Sequence, residues 1–60
     1  MVYERIKDLS EKAGMSIRQL EARAGLANGT IGKWRDAVPS ATNLFAVAKV
    51  LETSMEELLQ

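Results

Sequence analysis

The side chains that could do chemistry in this chain are few and of one kind. It has no histidine and no cysteine. That removes Ser-His-Asp triads, histidine acid–base steps, zinc sites of the usual composition and disulfides. Carboxylates remain, but they stand among helix-surface charges with no sign of a pocket. No enzyme, metal, cofactor or small-molecule ligand is expected. What is left is binding chemistry. Residues 16–35 hold Arg18, Arg23, Lys33 and Arg35 against one acid, Glu21, a net charge of +3. Residues 36–60 carry −3 and residues 1–15 carry zero, so the chain is neutral overall but polarised. Such a polarity orients a molecule on a phosphate backbone.

Positioning these groups falls to helices, and the chain reads as five of them with no strand. Val2, Ile6, Leu9 and Ala13 recur at helical spacing, which predicts an amphipathic helix over 2–13, ended by Gly14. Ser16 caps the next helix, and Gln19 three residues later completes a capping box. Ile17, Leu20 and Ala24 form its inner face. Gly25 stands where a helix C-terminus favours a left-handed residue, and Leu26 anchors the turn. A third helix starts near Ala27 or Asn28 and runs to about Arg35. Its buried side is Ile31 and Trp34, with the indole N–H reaching a nearby carbonyl.

Asp36 to Pro39 form a connection, since proline cannot continue a helix. Ser40 or Thr42 caps a fourth helix reaching about Leu51, with Leu44, Val47, Ala48 and Leu51 as its apolar stripe. Ser54 caps a last short helix, with Glu57 at the capping-box position and Met55, Leu58 and Leu59 facing inward or toward a partner. Residues 16–34 thus read as helix, glycine-centred turn and helix. That is a geometry able to push the second helix outward into the major groove of DNA.

Sixty residues make one domain at most, here taken as 1–60. A chain this short buries only ~60% of its unfolded surface, so nearly every apolar residue goes to a single core. No apolar run is long enough to span a bilayer, and no secretory signal pattern opens the chain. With cysteine absent as well, a cytoplasmic location is expected.

A family pattern emerges from joint spacing. The markers are Gly14-Met15-Ser16, Leu20, Gly25-Leu26, Thr30-Ile31, Trp34, Pro39-Ser40, Leu44, Ala48, Leu51 and Ser54 through Leu58-Leu59. From about Ile6 to Leu59 the chain resembles the Cro/CI-type helix-turn-helix regulators, the lambda-repressor-like or XRE group, in a short phage-type form of Gram-positive bacteria. The resemblance implies an all-α, compact five-helix domain with the helix-turn-helix at about 16–35. It implies sequence-specific binding of double-stranded DNA as a repressor of transcription, with the third helix in the major groove.

Roles follow position by position. Base readout would fall to Ala27, Asn28, Gly29, Gly32 and Lys33, and backbone contact to Ile17, Arg18, Thr30, Arg35, Ser40 and Asn43. Of the readers, only Asn28 and Lys33 can hydrogen-bond a base: asparagine suits adenine N6 and N7, lysine suits guanine O6 and N7. Ala27 can touch a thymine methyl. Gly29 and Gly32 each weaken a helix by about 1 kcal/mol relative to alanine. Close approach of the backbone to DNA would explain them, and so would simple tolerance by the packing.

Three departures from the family pattern stand out. The family commonly has glutamine where Ile17 stands, and isoleucine cannot make that phosphate hydrogen bond. It often has a small residue where Glu21 stands, so the glutamate should swing outward toward Arg18 or Arg23. Ala27 replaces the serine or threonine cap of the third helix, a loss of about 1 kcal/mol unless Asn28 takes over.

Family members bind inverted-repeat operators as dimers, with half-sites about 34 Å apart. Phe45, Ala46 and Val50, joined by Met55 and Leu59, offer a surface for a homodimer. An alternative use of the same fold is a protein-binding module of the adapter or antitoxin kind. The neutral charge, the sparse reading face and the apolar fourth helix favour it.

Overall fold

Local signals lay down most of the helices. The computed structural model describes residues 2–60. It holds four α-helices and one 3-10 segment: α1 (Val2–Lys12), α2 (Ile17–Ala24), η1 (Ile31–Arg35), α3 (Ala41–Leu51) and α4 (Met55–Leu59). No strand occurs among the described residues. The all-helical class is as expected, but the α-helix count is four, not five.

The difference lies at the third element. An α-helix was expected from Ala27 or Asn28 to Arg35; the chain instead forms a turn over 28–30 and then the five-residue η1. Gly29 has φ +92°, outside any right-handed helix, so a regular helix cannot begin before it. The amides of Thr30, Lys33 and Asp36 then donate three residues back, to the carbonyls of Ala27, Thr30 and Lys33, at 3.1, 3.2 and 3.2 Å. That three-residue step defines the tighter helix.

In α1 the buried side is Tyr3, Ile6 and Ser10, with Val2 and Leu9 packed at its margin. Ala13, expected on the inner face, is exposed in the turn after the helix. Ser10 is buried without penalty because its hydroxyl donates to the Lys7 carbonyl at 2.9 Å. Met15 is buried too, in the link to α2.

Ser40 caps α3, its hydroxyl accepting the Asn43 amide at 3.2 Å, and Ser54 caps α4 in the same way, from Glu57 at 3.1 Å. Glu57 does not return the favour that a capping box requires. Its carboxylate pairs with Arg5 of α1 at 3.0 Å, while Arg5 Nε also donates to the Glu57 carbonyl at 3.2 Å. The acid thus ties the last helix to the first.

One core results. Ile6, Leu20, Ile31, Val47 and Leu58 are fully buried, one from each helical element. Trp34, Leu44 and Ala48 fill the space around them. Trp34 packs as expected, but its indole N–H finds no carbonyl among the described residues; the ring also lines an open apolar groove with Val2, Val38, Pro39 and Leu59. Against this core α2 packs on α3, and α1 packs on η1 and α4. The effect is to leave the outer side of 17–35 facing solvent.

Candidate nucleic-acid interface

The helix pair begins with a closed capping box. The Gln19 amide donates to Ser16 Oγ at 3.1 Å, and Gln19 Oε1 accepts the Ser16 amide at 2.9 Å. Two amides that a helix start leaves unpaired are thereby satisfied. At the other end Gly25 has φ +74°, and its N–H turns back to the Ala22 and Glu21 carbonyls. Leu26 then donates to the Glu21 carbonyl at 2.8 Å, the paired-bond ending that reverses a chain in few residues. Leu26 packs against the core, as expected, and sets the exit of the turn.

Glu21 departs from expectation. It does not swing out toward Arg18 or Arg23; it is buried, at 3% exposure. Its carboxylate accepts the Gly29 amide through Oε1 at 3.1 Å and the Ile31 amide through Oε2 at 2.7 Å. A carboxylate at the start of a helical segment satisfies unpaired donors, so Glu21 supplies from α2 the cap that Ala27 lacks. Asn28 therefore does not act as the cap, and Thr30, at the cap position of η1, makes no side-chain cap bond.

Burying that acid changes the surface. Glu21 is the sole acid of residues 16–35, and it points inward. Arg18, Arg23 and Lys33 are exposed and enter no ion pair among the described residues. The exposed part of the helix pair thus carries three unpaired cations, with Asp36 and Glu4 close enough to Arg35, at its far end, to act on that charge.

Arg35 is held differently. It is exposed, yet its Nη2 donates to the Tyr3 hydroxyl at 2.9 Å and its guanidinium lies 4.5 Å from the centre of the Tyr3 ring. This hydrogen bond, with the tyrosine's electrostatic pull, raises the Arg35 pKa further above its ordinary value, so the charge is permanent. The arrangement fixes the direction of the side chain and leaves other guanidinium donors unused.

The remaining assigned residues fall on the same stretch or just beyond it. Ala27, Asn28, Gly29, Gly32 and Lys33 are all exposed, and Ile17 and Thr30 are half-buried. Ser40 is exposed and Asn43 half-buried at the start of α3. There the Ser40 hydroxyl already caps the helix.

The apolar residues assigned to a self-contact divide. Phe45 and Leu59 are 54% and 56% exposed, whereas Val50 and Met55 are half-buried and pack on the core, and Ala46 is half-buried. Phe45 is covered on one face by Lys49, whose Nζ lies 5.5 Å from the ring centre. Leu59 lines the groove with Val38, which is 90% exposed and carried no signal in the sequence beyond its place before Pro39.

No group of acidic side chains able to hold a metal occurs among the described residues, and no described helix is long and apolar enough to cross a membrane. None of the curated proteins compared with the chain matches it. A family model described as helix-turn-helix matches residues 6–58, nearly the whole length. With the capped helix, the left-handed Gly25 turn and the cationic outer face, this match shows that the chain belongs to the Cro/CI-type helix-turn-helix family of DNA-binding transcription regulators.

Proposed function

We propose that the protein is a sequence-specific repressor that lays the segment from Asn28 to Arg35 in the major groove of double-stranded DNA. The observation that carries this reading is the set of exposed cations Arg18, Arg23 and Lys33, which enter no ion pair among the described residues because the one acid of 16–35, Glu21, is buried. Asn28 and Lys33 read bases by hydrogen bonds, Ala27 contacts a thymine methyl, and Gly29 and Gly32 allow the backbone close to the groove. Arg18 and Arg35 meet phosphates, with Thr30, Ser40 and Asn43 donating from either side and Ile17 packing against the sugar–phosphate chain. Tyr3 aims Arg35, so less rotamer freedom is lost on binding. Bound as a homodimer to an inverted repeat, the protein represses by excluding others from the same base pairs.

Selection of bound sequences from random duplex DNA tests this. The expected result is a two-fold symmetric site with half-site centres about 34 Å apart. Asn28→Ala and Lys33→Ala should each lose about tenfold preference at one base pair per half-site. Binding by one subunit should weaken with salt, with a slope of log K on log salt of about −2 from Arg18 and Arg35. If both alanine variants select the parent's sequence with the parent's affinity, the base-reading assignment is wrong. Absence of DNA binding even at low salt would instead favour a protein-binding module, for which the Val38–Leu59 groove is the observation in support.

A further inference from the structure

We propose that Glu21 is a specificity-determining positioning residue: buried behind the reading turn, it sets which base Asn28 selects without touching DNA. The inference rests on the DNA-reading role given above to Asn28.

The geometry is that of a two-point clamp. One carboxylate holds the amides of Gly29 and Ile31, on either side of Thr30. The Gly29 amide belongs to the same rigid peptide plane as the Asn28 carbonyl. The plane before Asn28 is held by the Thr30 amide, which donates to the Ala27 carbonyl at 3.1 Å; with the plane after it held by Glu21, the Asn28 backbone angles and the direction in which its side chain leaves are set. Asn28 is exposed, and its side chain has no hydrogen bond among the described residues.

The residue that follows makes the clamp necessary. Gly29 sits at φ +92°, and a Cβ built there would meet nothing within 4 Å. Within the fold, then, it is the backbone angle and not crowding that calls for glycine. Glycine also samples more conformations than any other residue, so an unclamped turn would aim Asn28 in many directions. The second point of the clamp supplies the anchor. Ile31 is fully buried and starts η1, and its amide makes the shorter bond, 2.7 Å. Glu21 therefore transmits the rigidity of the core to the exposed turn. Lys33 lies beyond this anchor, inside η1, and does not depend on the Gly29 bond.

Glu21→Gln separates the two points. Glutamine keeps one acceptor oxygen, which stays with the shorter, buried Ile31 bond, and turns an NH2 donor toward the Gly29 N–H. The experiment is selection from random duplex DNA by the parent and by Glu21→Gln, with folding of each checked by far-UV circular dichroism and thermal unfolding. The expected result is a folded variant whose preference at the Asn28 base pair falls about tenfold, while the Lys33 base pair keeps its preference. In an Asn28→Ala background the same change should alter selectivity no further, as required of a residue acting through Asn28.

A merely structural glutamate gives another pattern: affinity falls alike for all sequences and the selected site is unchanged. That pattern overturns the inference while leaving the DNA-binding reading intact. If the parent selects no sequence, that reading falls and takes the inference with it. If Glu21→Gln does not fold, Glu21→Asp serves. It keeps the charge but is one methylene shorter and cannot span both amides. It must show the same loss confined to the Asn28 base pair, and an unchanged preference there overturns the inference.

Discussion

Single residues decide how sharply the chain turns between α2 and the reading segment. Gly25 holds φ +74°, and there is open space where its Cβ would be. Gly25→Ala should therefore destabilise through backbone strain alone, by about 1 kcal/mol. For a domain this small that is a fall in Tm of about 4–8 °C, measurable by thermal unfolding. The role of Gly25 was legible in the sequence, as was the Ser16–Gln19 capping box, because both are local and use side-chain types with few other uses. Glu21 was not legible. Its partners are backbone amides eight and ten residues away, and an amide leaves no trace in residue type. Size and charge alone argued for an outward glutamate; two unpaired N–H groups inside the turn decided otherwise. Tyr3 and Arg35 escaped notice for another reason: their side chains meet across thirty-two residues, and no local spacing brings them together.

At the scale of elements, apolar periodicity located α2, α3 and α4 closely and mistook parts of the other two. In α1 the stripe of Val2, Ile6, Leu9 and Ala13 is rotated from the real one, because Tyr3 and Ser10 are buried and Ala13 is not. Serine is a poor marker of a core, and only its bond to the Lys7 carbonyl makes it one here. In the third element periodicity could not separate an α-helix from a turn followed by η1. Ile31 and Trp34 lie on one side at a spacing of three in either form.

The end of α3 offers a test of local backbone energetics. Glu52 closes it at φ 56°, the one non-glycine residue in the left-handed region among those described, with its amide donating to the Ala48 and Lys49 carbonyls. Glu52→Gly should relieve about 1 kcal/mol of strain, partly offset by a freer unfolded chain. The expected outcome is a higher urea midpoint with an unchanged slope. A lower midpoint would show that the side chain at this position matters more than its φ.

The whole molecule is small against the spacing it is proposed to bridge. Its Cα trace spans 23 × 21 × 18 Å. Two copies centred about 34 Å apart on one face of a duplex meet only through residues that project from them. Among the exposed apolar residues, Phe45, Val38 and Leu59 project most. Light scattering at high protein concentration should give the mass of two chains, and Leu59→Glu or Phe45→Glu should return it to one without loss of helix. A single-chain mass for the parent at every concentration would remove the homodimer in free solution. The sequence suggested a larger apolar surface here. Val50 and Met55 have helical positions compatible with either side of the fold, and the core claims them.

The brevity of η1 has a consequence for information. With η1 only ~10 Å long at a rise of about 2.0 Å per residue, and Asn28 and Lys33 the two side chains proposed to hydrogen-bond bases, one chain would read roughly three base pairs of duplex at ~3.4 Å each. Three base pairs spell about one word in 64, against on the order of 10⁶ or more competing positions in a genome. A single copy would find its word everywhere. Two copies square the vocabulary to roughly 4,000, and the stiffness of the intervening DNA adds letters that neither copy touches. The address of a gene would then be spelled by the pair and the duplex together, and each chain would hold only a syllable of it.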